Sequence, residues 1–315
     1  KEFGKWLGER FTAGEPWDKI TREILTVKGE TKDHPQVIFF GLVGQDAKTT
    51  ADGSARAAAS LFMGVKLQCA RCHDDPYRAW SQREHWGLAA FFGRSQGDFN
   101  KFEVGKGSSK KPGEISIPGS AFKNSGQTVK AAFLRGAEYE VKGTDDLRSP
   151  FAEWLTARDN PFFARSLVNR AWFYLFARGI VNPIDDFRDL NPPSHPGLVK
   201  MLANEFVASD FDVKHLFRCL CNSQAYQRTS RLEAGNSAPS AAALTRHFGR
   251  MPLRVMTADM LYDSLHRAYG EGLDLRPAGS HQEGNQNGMS APVADPLLQF
   301  QRDFCTNEED ATDFT

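Results

Sequence analysis

Apolar residues at helical spacing open the chain: Phe3, Trp6, Leu7 and Phe11, then, beyond the break at Gly14 and Pro16, Trp17, Ile20 and Ile24. They predict two short amphipathic helices. An alanine-rich run from Thr50 to about Leu67, with Ala57, Leu61, Phe62 and Val65 on one side, predicts a third helix that leads directly into Cys69. Ser81 and Glu84 have the spacing of a capping box and start a helix whose Trp86, Leu88, Ala89, Phe91 and Phe92 form a wide apolar face. From Gly93 to Gly143 the helical period disappears, and glycines separate short runs such as Glu114 to Ile117, Thr128 to Leu134 and Glu138 to Lys142. Helical spacing returns near Ser149 and Pro150. Asn160 with Pro161 predicts the start of the longest helix and Gly179 its stop. Ser194, Asp212 and Thr257 are expected to cap helices running to about Ala208, Arg228 and Gly270, and Gly270 to Ala294, which has no period, reads as a long loop. The pattern is mainly α, with two helical regions, residues 1–98 and 145–315, separated by a small strand-rich insertion at 99–144.

Composition narrows the class. Of 315 residues, 40% are hydrophobic and 24 are Phe, enough to bury real cores in one large or two ordinary domains and to exclude a wholly disordered chain. Lys plus Arg, at 39, balance Asp plus Glu, at 39, so no global basic field points to nucleic acid as a partner. No stretch has the roughly 18 uninterrupted apolar residues of a membrane span. The longest helical run, Phe162 to Phe176, is broken by Arg165, Asn169 and Arg170. Lys1 is followed at once by a helical pattern and the chain stops in a polar run, so it is expected to be a piece of a longer protein, which leaves its compartment open.

Cys69, Ala70, Arg71, Cys72 and His73 carry the strongest chemical signal. C-x-x-C-H is the attachment pattern of c-type haem, in which two thiols bond the porphyrin's vinyl groups and the adjacent His becomes the proximal iron ligand. Other chemistry fits less well. A structural zinc site needs a second ligand pair, and Cys219 and Cys221, one residue apart on an expected helix, make a poor one. A thioredoxin-like pair follows a strand, whereas the segment before Cys69 reads as helix. A disulfide, or two packed thiols, is the plain structural alternative.

The run Leu61-Phe62-Met63-Gly64-Val65-Lys66-Leu67-Gln68-Cys69-Ala70-Arg71-Cys72-His73-Asp74, with Pro76, Trp80 and Trp86-Gly87-Leu88-Ala89-Ala90-Phe91-Phe92, resembles the planctomycete-type cytochrome c-like domain. The second helical region resembles the planctomycete-specific domain that usually follows it. It does so through Asn160 to Arg165, Val168-Asn169-Arg170, Asp185 to Arg188, Asn191 to Pro196, Cys221-Asn222-Ser223 and Tyr226-Gln227. The resemblance implies a periplasmic or otherwise extracytoplasmic protein carrying covalent haem c on Cys69, Cys72 and His73. It also implies a redox partner protein or a small-molecule electron donor or acceptor, often in the setting of polymer degradation. On this alignment the start of the first domain and the end of the second lie outside the chain. Where the family often has a second His after the proximal one, this sequence has Asp75.

The sixth iron position would decide the activity, and His85, His195, Met63 and Met256 are the candidates for it. A second feature is the Pro-fixed loop from Asn182 to His195, whose Asp185, Asp186, Arg188, Asn191 and His195 have the composition of a binding or metal site. It supports an alternative function, a non-haem metal-dependent hydrolase or carbohydrate-active protein. A third is a non-catalytic binding or assembly module. The plain account of the same loop is turns and a helix cap. Asn169 and Arg170 are expected to anchor this loop through buried hydrogen bonds, and Trp80, Trp86, Phe91 and Phe92 either wall a haem pocket or fill the core. Cys219, Cys221 and Cys305 leave their pairing open, and His34, His215, His247, His266 and His281 show no partner pattern.

Overall fold

The structure is a computed structural model. It describes residues 2–43, 50–231 apart from 78, 99, 106, 120, 121, 144 and 145, and 241–269 apart from 254 and 255. The expected loop at Gly270 to Ala294, His281 and Cys305 lie outside these residues. Eleven α-helices and two small antiparallel sheets make up the described chain, which is mainly α with a strand-containing insertion, as the sequence pattern predicts. No helix among the described residues is long and apolar enough to cross a membrane.

One compact unit holds Lys1–Thr229 with Arg246–Met251. Helices α1 (Glu2–Ala13) and α2 (Trp17–Thr26) open it, and α2 buries Ile20, Ile24 and Leu25, the period-four face expected from the sequence. Helix α3 (Ile38–Val43) presents Phe40 to Phe102, ring centroids 4.0 Å apart. Helix α4 (Thr50–Ala58) is shorter than expected: a π-helical turn, Ala59–Met63, follows it, and Gly64 reverses the chain at φ +67°. Cys69 therefore does not continue the helix. Val65 to Gln68 intervene, and Cys69–Arg71 form a separate 3-10 turn.

Helix α5 (Gln82–Ala89) has the expected capping box: the Ser81 hydroxyl accepts from the Glu84 amide, and the Glu84 carboxylate accepts from the Ser81 amide at 2.8 Å. The strands follow. β1 (Gly29–Glu30) and β2 (Ser95–Gly97) pair with β3 (Lys101–Val104) in the order β1-β3-β2, and β4 (Glu114–Ser116) pairs with β5 (Thr128–Lys130), all antiparallel. Helix α6 (Arg148–Leu155) packs along α2, and its fully buried Arg148 donates to the Val27 carbonyl, pairs with Asp146 and lies over the rings of Phe40 and Phe102.

Helix α7 (Phe163–Phe176) is the longest of the described helices. It starts two residues later than expected, with Phe162 at the cap position, and the Asn160 side-chain oxygen accepts from the amides of Phe162 and Phe163 just ahead of it. It stops at Ala177, held left-handed at φ 56°, two residues before Gly179. Helix α8 (Pro196–Ala208) begins with Pro in its first turn, and Ser194, the expected cap, instead donates to the Ile180 carbonyl. Asp212 caps α9 (Val213–Cys221), which ends about seven residues earlier than the sequence suggests. The second unit comprises Ser230–Thr245 and Pro252–Thr315. Its described part contains α11 (Ala258–Tyr269), capped by Thr257, and most of α10 (Ala241–Arg246).

Candidate functional site

The C-x-x-C-H residues occupy one tight turn. Cys69 and His73 are exposed and Cys72 is half-buried, and both thiols are free. The turn is held from below by its own backbone: the Gln82 amide nitrogen donates to the carbonyls of Arg71 and Cys72, at 3.3 and 3.0 Å, and the Trp86 indole donates to Arg71 at 3.0 Å. Lys123 supplies a further backbone donor to Cys72. His73 Nδ1 lies 2.7 Å from the Asp74 carbonyl; a carbonyl only accepts, so Nδ1 carries the proton and Nε2 keeps its lone pair.

Between the two cysteines, Arg71 reaches inward. Its Nε sits 2.8 Å from Oδ2 of Asp52, a carboxylate on α4 with 3% exposure. Oδ1 of the same carboxylate accepts from His85 Nε2 at 2.9 Å and from Arg56 Nε at 3.1 Å. Burial alone would raise the Asp52 pKa, but the His85 hydrogen bond and charge, with Arg56, outweigh it and hold the carboxyl below its usual range. His85 is fully buried and committed to this carboxylate.

The loop from 182 to 195 docks against the same segment. Asp185 accepts from the Ser60 hydroxyl at 3.0 Å and pairs with Lys66 at 3.0 Å; the Phe187 amide donates to the Gly64 carbonyl; Arg188 donates to the Tyr77 carbonyl at 3.1 Å. Ser60, Gly64 and Lys66 lead into Cys69, and Tyr77 follows His73. Two features more than a hundred residues apart in sequence thus share one neighbourhood. Within the loop, Asp186 pairs with Arg188, and the Asn191 side chain donates to the Asp186 carbonyl. Asn169 anchors the loop's start as expected, donating to Val181 and Ile184 and accepting from the Val181 amide. Arg170 and Ser166 satisfy the carbonyls of Ser60 and Leu61 that the π-turn leaves over.

His195 stands apart, its Nδ1 3.1 Å from the Ser194 hydroxyl and its ring beside His247 and Phe248. Among the described residues, its hydrogen bond and ring contacts are with Ser194, His247 and Phe248 rather than with the C-x-x-C-H turn. Among the described residues, no three His, Cys, Asp or Glu side chains are grouped to hold a metal ion. Asp185 and Arg188 are engaged in docking the loop, and Asp186 and Asn191 in holding its own turn. Trp80, Trp86, Phe91 and Phe92 are all buried, Phe91 stacking on Phe133 and Phe92 packing on Phe151, so they fill the core. Met63, the other nearby sixth-position candidate, is fully buried too.

The donor set fits a covalently anchored haem: two free thiols within reach of solvent and an exposed imidazole with Nε2 available, on one backbone-pinned turn. Sequence reasoning missed Asp52, Arg71 and Gln82. The signal was present in Asp52 and Arg56, a charged pair four apart on an otherwise small-residue helix face, and in Arg71 itself, but their convergence is tertiary.

Residues 147–311 match the model of PSD1, described as a protein of unknown function (DUF1553). Residues 1–97 match that of PSCyt2, also described as a protein of unknown function (DUF1549), so the two stand in the order expected from the resemblance. No curated protein and no solved structure matches the chain.

Proposed function

The chain belongs to the PSD1 family of proteins of unknown function (DUF1553), and we propose that it works as an extracytoplasmic c-type haem protein, exchanging electrons with a redox partner protein or a small-molecule donor or acceptor. The observation that carries the reading is the turn itself: Cys69, Cys72 and His73 are accessible together, and His73 has Nδ1 tied to a carbonyl while Nε2 is available. Cys69 and Cys72 would form the two thioether links and His73 Nε2 would hold the iron. Haem bound in this way supplies one-electron chemistry. The protein's part is positioning. Gln82 and Trp86 fix the backbone of the turn, Arg71 ties it to Asp52, and His85 serves that carboxylate rather than the iron.

The test is the absorption spectrum, oxidised and dithionite-reduced, with a pyridine haemochrome assay, on protein made with a functional cytochrome c maturation system. The wild-type chain should show a c-type signature and the Cys69→Ala, Cys72→Ala double variant should be colourless. A colourless wild-type protein, made alongside a control cytochrome that does acquire haem, would sink the reading.

A further inference from the structure

His215 shows no partner pattern in the sequence, but the fold gives its ring two partners. It stands in the first turn of α9, four residues before Cys219 and on the same face of the helix. Its Nε2 lies 3.4 Å from the Cys219 sulfur and 2.9 Å from Oε1 of Glu205 on α8. One ring nitrogen thus meets a thiol and a carboxylate. A carboxylate only accepts, so the Nε2 proton serves Glu205, and the sulfur is left beside it with no proton of its own to receive. All three groups are reachable from solvent: Cys219 is exposed, and the side chains of His215 and Glu205 keep 33% and 55% of their surface.

The spacing is that of metal ligands. Two donors four residues apart on one face is how a helix presents a ligand pair to zinc. Zn–N of about 2.0–2.1 Å and Zn–S of about 2.3 Å put the nitrogen and sulfur of a tetrahedral zinc about 3.5 Å apart, against 3.4 Å here. As the side chains stand, it is the His215–Cys219 pair that has this spacing. Glu205 touches the same nitrogen from the neighbouring helix and borders an open groove with Met201, Asn204 and Ala208, which leaves its carboxylate room to turn. The adjacent cation Lys214 is drawn off to the Thr12 carbonyl at 2.7 Å. Asp212 caps α9 through the amide of His215, so the start of the helix does not depend on the ring.

We infer that His215 and Cys219 form a clamp for a borderline-soft divalent cation of the zinc class, with Glu205 turning in as the third ligand. The cation takes the Nε2 lone pair and the Cys219 thiolate; the imidazole proton moves to Nδ1 and the thiol proton passes to solvent. Nitrogen, sulfur and oxygen donors together select such an ion over magnesium or calcium, which take oxygen alone. Water fills the remaining position. The site ties the end of α8 to α9 and is independent of the haem reading.

Cobalt(II) serves as the probe, because it takes the place of zinc and its bond to a thiolate gives a charge-transfer band. The full chain carries Cys69→Ala and Cys72→Ala, which removes the C-x-x-C-H thiols as competitors, and its other thiols are kept reduced. Titration should give a band that saturates at one equivalent and is bleached by zinc. Cys219→Ser should abolish the band, and His215→Ala should weaken the affinity roughly tenfold or more, with a smaller loss for Glu205→Gln. Cys221→Ser, at a half-buried thiol that packs against the core, should leave binding unchanged. Urea midpoints of the Cys219, His215 and Glu205 variants should stay near that of the parent, because these side chains lie at the surface, so that lost binding is not lost folding. A band that survives Cys219→Ser, an affinity that survives His215→Ala, or no band in the parent chain overturns the site.

Discussion

Asp52 is the buried carboxylate that Arg71, His85 and Arg56 share, and removing it tests whether the C-x-x-C-H turn is held as the geometry indicates. Asp52→Ala leaves His85, fully buried, and the guanidinium of Arg71 without their anion. Breaking a buried ion pair by deleting one partner costs about 3–5 kcal/mol. Arg56 and Arg71 keep about a third of their side-chain surface, 33% and 35%, so solvent screens them and the lower end applies, about 3 kcal/mol. In a unit of this size each kcal/mol moves Tm by about 2–4 °C, which predicts a fall of about 6–12 °C by calorimetry. A double-mutant cycle with His85→Ala should show coupling above about 0.5 kcal/mol. A loss under about 1 kcal/mol, or strict additivity in the cycle, would refute the network as the support of the turn. The same carboxylate sets a pH dependence. Its pKa is depressed in the folded state from an ordinary 3.8, so its contribution is complete above the unfolded value and is lost as pH falls through the folded one. Below about pH 4, wild type should therefore lose stability more steeply than Asp52→Asn.

Gly64→Ala places a methyl 2.7 Å from Cδ2 of Phe187 at a φ of +67°, and left-handed strain with displacement of the ring should cost about 2–4 kcal/mol in urea unfolding; a loss under about 1 kcal/mol would mean the loop yields freely there. Asn169→Ala leaves the Val181 amide and the carbonyls of Val181 and Ile184 unpaired, an expected cost of about 3 kcal/mol, with faster proteolysis between 182 and 195; unchanged protease resistance would show that the loop does not depend on it. Ser81→Ala removes one half of the capping box on α5 and should cost about 1 kcal/mol, read as a shift of the urea midpoint with unchanged slope.

Local rules carried the sequence reading as far as local physics reaches. The capping box at Ser81 and Glu84 and the Asp212 cap involve partners three residues away, and each appears in the fold as the spacing predicts. The errors arise where tertiary partners decide. The helix from Thr50 stops early because Arg170 and Ser166, on α7, take up the carbonyls of a π-turn, and because Gly64 must turn sharply to let Phe187 in. Ser194 abandons its capping role for a carbonyl fourteen residues back. The C-x-x-C-H signature is legible because it lies in five consecutive residues. Its supports are not, since Asp52, Arg71, Gln82 and Trp86 come from separate elements, and the Asp52–Arg56 spacing marks a charged pair without showing that Arg71 and His85 converge on it.

The docking of the 182–195 loop bears on what the two sequence families do for each other. Residues matched by the second family close over the segment that delivers Cys69: Asp185 ties down Ser60 and Lys66, Phe187 fills the space Gly64 leaves, and Arg188 holds the chain after His73 through the Tyr77 carbonyl. At the opposite end of the first region, Arg148 on α6 satisfies Val27 and Thr156 accepts from Arg22 at 2.7 Å. These are mostly hydrogen bonds to backbone or half-buried charge pairs, which favour a defined arrangement more than they favour burial of area. A segment that ends in two accessible thiols and an imidazole needs such definition, because its functional groups cannot be fixed by packing while remaining reachable. The helical region that follows supplies it, and on the haem reading proposed above the docked loop would serve to hold the turn.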